Sequence, residues 1–482
     1  DVCSSDLSDP HRARRRFAAT PAPTGNMKQL LALLPLALGA SALSLAPRPL
    51  LEESASEEGW TQERLEAVTR EIQAAVEELR GSRFTSPVKV QLCDEEELVR
   101  YAERRIAALE TPDSIAADEA IAKLLGLIDP GLDLMAATFA LLEGQVGGFY
   151  DPSSDTFFLM QRFGTGGAAR IILAHELAHA LDDQIHDLDA KLAGSARTTD
   201  GELAFQAVVE GSGMAAMNGW MATHREEWSF EDLVHTQELS GDALKDAPMA
   251  LWKPMLASYW LGDAFLRRSD KFLNATLAVP ANADIERAFA APPRSTEQIL
   301  HPEKYWDADS IDEPIAVEVG VGELPAGWKL LATDTLGELA CAMITTPFEE
   351  RLPLDVENPV SVMGLKFTNA AARGWGGDQL VLLGRDDSRI LRWVTTWDSA
   401  VDAKEFHAAL TRLREPVLDR FTEFPVLEGG AAEVDGDDRV GFLVEAPGDE
   451  RDVVVTTWAG VERSELERVL AALSSSVRHR GE

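Results

Sequence analysis

IILAHELAHAL, residues 171 to 181, is an apolar run interrupted by two histidines and a glutamate, and its spacing sets the reading of the chain. A helix turns by about 100° per residue, so His175 and His179 share one face, one turn apart. Two imidazoles so placed reach a single zinc ion. Glu176 then stands beside the same ion, where it can take a proton from a water whose pKa the metal has lowered to about 7. This H-E-x-x-H box points to hydrolysis as well as to binding. Gly166 and Gly167 precede a helical stretch from Ala168 to about His186, on which Ile172, Ala174, Leu177, Ala178 and Leu181 give the broad apolar surface of a buried helix. Polar side chains on such a helix need partners, either a metal or hydrogen bonds within the core.

A catalytic zinc takes three protein ligands and keeps one position open. The metzincin pattern would place glycine at 182 and histidine at 185, but Asp182 and Ile185 stand there and His186 is one residue out of register. Downstream, Thr199-Asp200-Gly201-Glu202 reads as a capping box opening a second helix through Leu203, Phe205, Val208 and Val209. Glu210 lies on that helix, followed by Gly211, Ser212 and Gly213. A glycine inside a helix costs about 1 kcal/mol, and close approach of a neighbouring helix would compensate. Glu210 is therefore either the third ligand or a solvent-facing residue at a loosened helix end.

These residues resemble the gluzincins, H-E-x-x-H metallopeptidases whose third ligand is a glutamate on the following helix. The resemblance implies His175, His179 and Glu210 as ligands of one zinc ion, Glu176 as general base, and a peptide or protein substrate. It also implies a zincin-like, mainly helical metallopeptidase domain with a small sheet; with the small α+β C-terminal domain read from the residues beyond Pro314, the expected fold class is α+β. Thermolysin-like proteins carry an aspartate four residues after the glutamate ligand to support a zinc histidine, whereas Met214 stands here. Asp182 and Asp183 are possible substitutes, since metal-bound imidazoles usually donate their other N–H to a carboxylate or carbonyl; otherwise they are solvated residues at a helix end. A closer similarity, to a group of largely uncharacterised secreted bacterial metallopeptidase-like proteins, rests on Gly148 to Pro152, His175 to Gln184, Val209 to Gly211 and Pro292 to Tyr305, with a looser echo at Gly374 to Asp378. It supports the catalytic class and names no substrate.

Met27-Lys28-Gln29, the apolar run Leu30 to Leu38 and then Gly39-Ala40-Ser41-Ala42 have the layout of a secretory signal peptide. The expected organisation is a non-native extension over 1–26, a signal peptide over 27–42, a linker over 43–59, the metallopeptidase domain over 60–313 and the C-terminal domain over 314–482. The location expected is extracytoplasmic, with no stable membrane insertion once the leader is removed; the alternative is an uncleaved anchor. A formal net charge of −36 disfavours nucleic acid and anionic membranes as partners. Cys93 and Cys341 either pair in an oxidising compartment or are isolated buried thiols.

Val146 to Tyr150 and Thr156 to Met160 read as a hairpin before the metal helix. In gluzincins a sheet edge beside that helix holds extended peptide, which makes Phe149 and Tyr150 candidate substrate-binding residues. Gluzincins also commonly add a His or Tyr donor for the oxyanion. His301 is the candidate for this catalytic role, with Tyr305, Tyr150 and His235 as alternatives. Beyond Pro314, two strand-strand-helix units carry matching tetrapeptides, Val394 to Trp397 and Val455 to Trp458, and suggest helices covering one face of an antiparallel sheet. The chain is expected to be a secreted zinc metallopeptidase; the alternative is a non-catalytic extracytoplasmic binding protein on the same scaffold.

Overall fold

The computed structural model describes residues 59–478 apart from 146, 162–163, 196–197, 230–231, 233–243, 275, 352–353, 356–360, 363, 424–438 and 446–449. The proposed extension, the leader, all but the end of the linker and His235 lie outside the described residues. The first part runs α1 (Gln62–Arg80), β1 (Lys89–Cys93), α2 (Glu95–Leu109), α3 (Pro112–Leu124), α4 (Leu134–Gln145), β2 (Gly148–Asp151), β3 (Thr156–Met160), α5 (Gly167–His186), α6 (Leu188–Ser195), α7 (Thr199–Thr223), α8 (Met249–Leu266), α9 (Asn282–Ala290), α10 (Thr296–Leu300) and α11 (Glu303–Trp306). The second runs β4 (Ala316–Val321), β5 (Lys329–Asp334), α12 (Gly337–Thr345), β6 (Trp375–Arg385), β7 (Ser388–Trp397), α13 (Ala400–Glu423), β8 (Val440–Glu445), β9 (Asp452–Ala459), α14 (Arg463–Leu470) and β10 (Leu473–Arg478). The class is α+β. No helix among the described residues is long and apolar enough to cross a membrane.

The expected hairpin is present, with Tyr150 opposite Phe157 and Asp151 opposite Thr156. β1 adds in parallel on the far side of β3, which leaves β2 at an edge of a three-stranded sheet, against α5. Helix α5 is buried from Gly167 to Asp182 apart from Arg170, its histidines and Glu176 as well as its apolar side chains. Helices α7 and α8 cross at two glycines. A Cβ on Gly262 would lie 2.0 Å from the carbonyl oxygen of Ala207, and one on Gly211 would lie 2.5 Å from Gly262. The glycines beside Glu210 thus permit the close crossing that offsets their cost within a helix. Thr198, rather than Thr199, caps α7 by accepting from the Gly201 N–H, so the four-residue box read from the sequence starts one residue late. Thr199 is turned instead to Asp334, to which its N–H and hydroxyl donate at 2.8 and 2.5 Å.

The second part is built on an antiparallel sheet of order β5-β6-β7-β9-β8. Its helices lie on opposite faces, not on one. Strands β7 and β9 are neighbours, and their register sets Trp458 opposite Ile390 while Trp397 pairs with Trp375. Successive strand residues alternate faces, so the two matching tetrapeptides turn their tryptophans in opposite directions. Trp397 packs on Phe406 of α13 at 4.5 Å, and Trp458 clusters with Leu466 and Val469 of α14. The two parts share one apolar core, which runs from Leu65 to Ala459. At their junction the Asp200 N–H donates to the Thr335 carbonyl at 3.0 Å and the Leu339 N–H to the Thr296 hydroxyl at 3.2 Å, while the N–H and hydroxyl of Thr296 donate to Asp200. Asp378 accepts from the N–H groups of Leu336 and Gly337 and from the indoles of Trp375 and Trp393. Cys93 and Cys341 are both buried free thiols, so no disulfide joins them.

Candidate metal centre

Helix α5 carries His175, Glu176 and His179, and α7 brings Glu210 against them; all four are at least nine-tenths buried. Three ring and carboxylate atoms converge. His175 Nε2 lies 3.1 Å from Glu210 Oε2 and 3.0 Å from His179 Nε2, and His179 Nε2 lies 3.4 Å from Glu210 Oε2. Glu176 stands beside them, with Oε2 accepting the Tyr150 N–H of β2 at 3.1 Å and Oε1 buried without a hydrogen bond among the described residues. Two neutral imidazole nitrogens and a carboxylate at one point form a donor set suited to a transition-metal cation.

The electrostatics carry the strain of leaving these groups to each other. Burial works against a charged ring at His179, but Glu210, Glu176 and Asp182 outweigh it and lift the imidazole to about 9. Burial alone would raise Glu210, yet His179 and the hydrogen bonds from both histidines hold it at about 2. Burial, reinforced by Glu210, pushes Glu176 up to about 8 against the pull of His179 and the Tyr150 N–H. His175 is lowered by burial and by its charged neighbour His179.

Two further contacts fix the ligand geometry. A Cβ on Gly213 would fall 2.5 Å from Cε1 of His175, so only glycine leaves room for the ring in this position. Gly213→Ala should displace the imidazole, and we expect metal retention at least about tenfold weaker, at a cost in stability of about 1–3 kcal/mol for the overpacking. Metal content and thermal melting on one preparation test this; wild-type values in both would refute it. Tyr259 of α8, fully buried, stacks on the His175 ring at 5.6 Å between centroids and hydrogen-bonds Glu210 through its hydroxyl. Nothing in the local sequence marked Tyr259, because it reaches the centre from a separate helix; it is nonetheless one of only four tyrosines in the chain.

A cleft of about 130 Å³ opens onto Glu176, His179 and Glu210, walled by Tyr101, Tyr150, Leu188, Leu192, Phe205 and Val209 among others. Of the residues expected there, Tyr150 lines the cleft and gives its hydroxyl to Asp183 at 3.0 Å. Phe149 does not line it: it is buried between Tyr101 and Phe158, with ring centroids at 4.4 and 4.8 Å. Asp182 and Asp183 do not hold a metal-site imidazole. Asp182 is taken by Arg80 of α1 and Ser212, both at 2.6 Å, Asp183 by Tyr150 and the Leu188 N–H, and His179 Nδ1 has no hydrogen bond among the described residues. His301 is also placed elsewhere, against Glu338 of α12 at 3.0 Å, and the Tyr305 hydroxyl donates to the Ala291 carbonyl. The Pro292 to Tyr305 segment thus ties the junction together rather than lining the cleft.

A family model described as a domain of unknown function (DUF8575) matches residues 329–469. That span takes in the whole five-stranded sheet with α12, α13 and nearly all of α14, and leaves out the helices that carry His175, His179 and Glu210. No curated protein and no solved structure matches the chain.

Proposed function

We propose that the chain is a zinc-dependent metallopeptidase of gluzincin type acting outside the cytoplasm, with His175, His179 and Glu210 holding one zinc ion and Glu176 as general base. The observation that carries this reading is the triangle of donor atoms with edges of 3.0, 3.1 and 3.4 Å. Ligands about 2.0–2.1 Å from a tetrahedral zinc ion stand about 3.3–3.4 Å apart. A single N–H on one imidazole serves one neighbour well, whereas a cation among the three serves all of them. The extracytoplasmic location rests on the leader-like residues Met27 to Ala42.

A zinc ion held there supplies a Lewis acid for a peptide carbonyl and lowers the pKa of a water. The chain's own groups do the rest. Tyr150 N–H fixes one oxygen of Glu176, leaving Oε1 as the atom free to accept the proton of the attacking water. Burial raises the proton affinity of Glu176 and a cation held by the triangle would lower it again, leaving a carboxylate able to take a proton and then return it to the leaving amine. Leu188, Leu192, Phe205 and Val209 offer an apolar wall to a substrate side chain beside the scissile bond.

Metal uptake tests the ligand set. A zinc ligand must be deprotonated, and His179 in the metal-free protein keeps its proton up to about pH 9. Zinc binding at pH 7 should therefore release at least about one proton, and affinity should rise with pH until it levels off near 9. Calorimetry in buffers of different ionisation enthalpy measures the count; release of no proton at pH 7 would contradict the assignment.

A further inference from the structure

A second cavity, of about 550 Å³, opens between α8, the end of α12 with described residues of the long connection to β6, and α13. It shares no lining residue with the metal cleft. It is lined by Lys253, in the second turn of α8, a residue only 7 % exposed. Among the described residues Lys253 has no hydrogen bond and no ion pair. The nearby Arg351 does not compete for an anion at short range, because its donors go to the carbonyls of Thr346, Ile344 and Gly126, but its charge adds to the positive potential. Lys366 and Arg412, both exposed, also line it, and Glu350 is the one carboxylate among the described lining residues.

This arrangement runs against the rest of the molecule. The chain holds 81 acidic residues against 45 lysines and arginines, yet no described carboxylate answers the one lysine it buries here. An ammonium without a partner on a residue this buried is unfavourable, and burial together with Arg351 lowers its proton affinity to about 8. The missing partner is then sought outside the chain. A single deep cation asks for a single negative charge. The walls at Met249, Trp252, Leu354 and Leu365 ask for an apolar body attached to it.

We propose that this cavity binds a small organic carboxylate, with the carboxylate on Lys253 Nζ and the apolar body against Trp252 and Leu354. The proposal is independent of whether the metal centre cleaves peptides. The test uses the full chain, with octanoate, indole-3-acetate, 1-octanol and inorganic phosphate as probes in calorimetry and thermal melting. At least one of the two carboxylates should bind and raise the melting temperature, with 1-octanol weaker than octanoate by about tenfold or more, as expected for loss of a charge-assisted hydrogen bond. Lys253→Met should weaken carboxylate binding by about tenfold or more. Without ligand it should melt at or above the wild-type temperature, since methionine fills similar space without an unpaired charge. Lys366→Ala should change carboxylate affinity less than about threefold, because its charge sits in water at the rim. The proposal is overturned if neither carboxylate binds, if 1-octanol binds as well as octanoate, if phosphate alone binds, if Lys366→Ala abolishes binding, or if Lys253→Met binds carboxylate like the wild type. A ligand-free Lys253→Met that unfolds or melts below the wild type would likewise show a lysine kept for the fold.

Discussion

Glu176→Gln should lower peptide cleavage by a factor of about 10² to 10⁴ while leaving fold and zinc content unchanged. The glutamine oxygen can still accept the Tyr150 N–H that holds Glu176 at 3.1 Å, so the side chain keeps its place on α5. What is lost is the basic oxygen. Oε1, now without a hydrogen bond among the described residues, is replaced by an amide that cannot take a proton. Zinc content, melting temperature and cleavage rate have to be measured on the same two preparations. Cleavage equal to wild type would remove Glu176 from the mechanism.

Glu210→Ala is expected to have the largest effect on the metal itself. It deletes one corner of the donor triangle and removes the anion that keeps His179 charged in the metal-free protein. Two imidazoles alone make a weak and open site, so zinc retention through dialysis should fall from about one ion per chain to near zero. The Tyr259 hydroxyl, which bonds Glu210, is left facing a void, and some loss of stability should accompany the loss of metal. A variant that retains wild-type zinc would show that Glu210 is not a ligand.

How much of this was legible in the sequence depended on whether a feature was local. Helix α5 was readable because its apolar spacing and its two histidines are set by one period, and that period survives folding unchanged. Glu210 was readable through its glycines, which make sense in a helix only where another backbone comes close; Gly211 and Gly262 do meet. The supporting shell was not. Tyr259 comes from another helix, and no spacing rule links it to the box. Asp182 and Asp183 follow His179 by three and four residues, close enough on a helix to suggest support, but Arg80, Ser212 and Tyr150 claim them from other elements. His301 and Tyr305 looked chemical because of their residue types, and tertiary packing spent them on Glu338 and the Ala291 carbonyl. The matching tetrapeptides showed that two similar units exist. Which face each tryptophan takes depends on strand register, and a repeat does not encode register.

The proposed hydrolase is tested most directly by digesting a broad peptide library with the zinc-loaded wild-type chain, before and after removal of the metal by a chelator. We expect cleavage by the loaded protein, its loss on chelation, and its return with about one equivalent of zinc per chain. A zinc-loaded, folded wild type that cleaves no peptide in the library would contradict the account and favour a binding protein on the same scaffold.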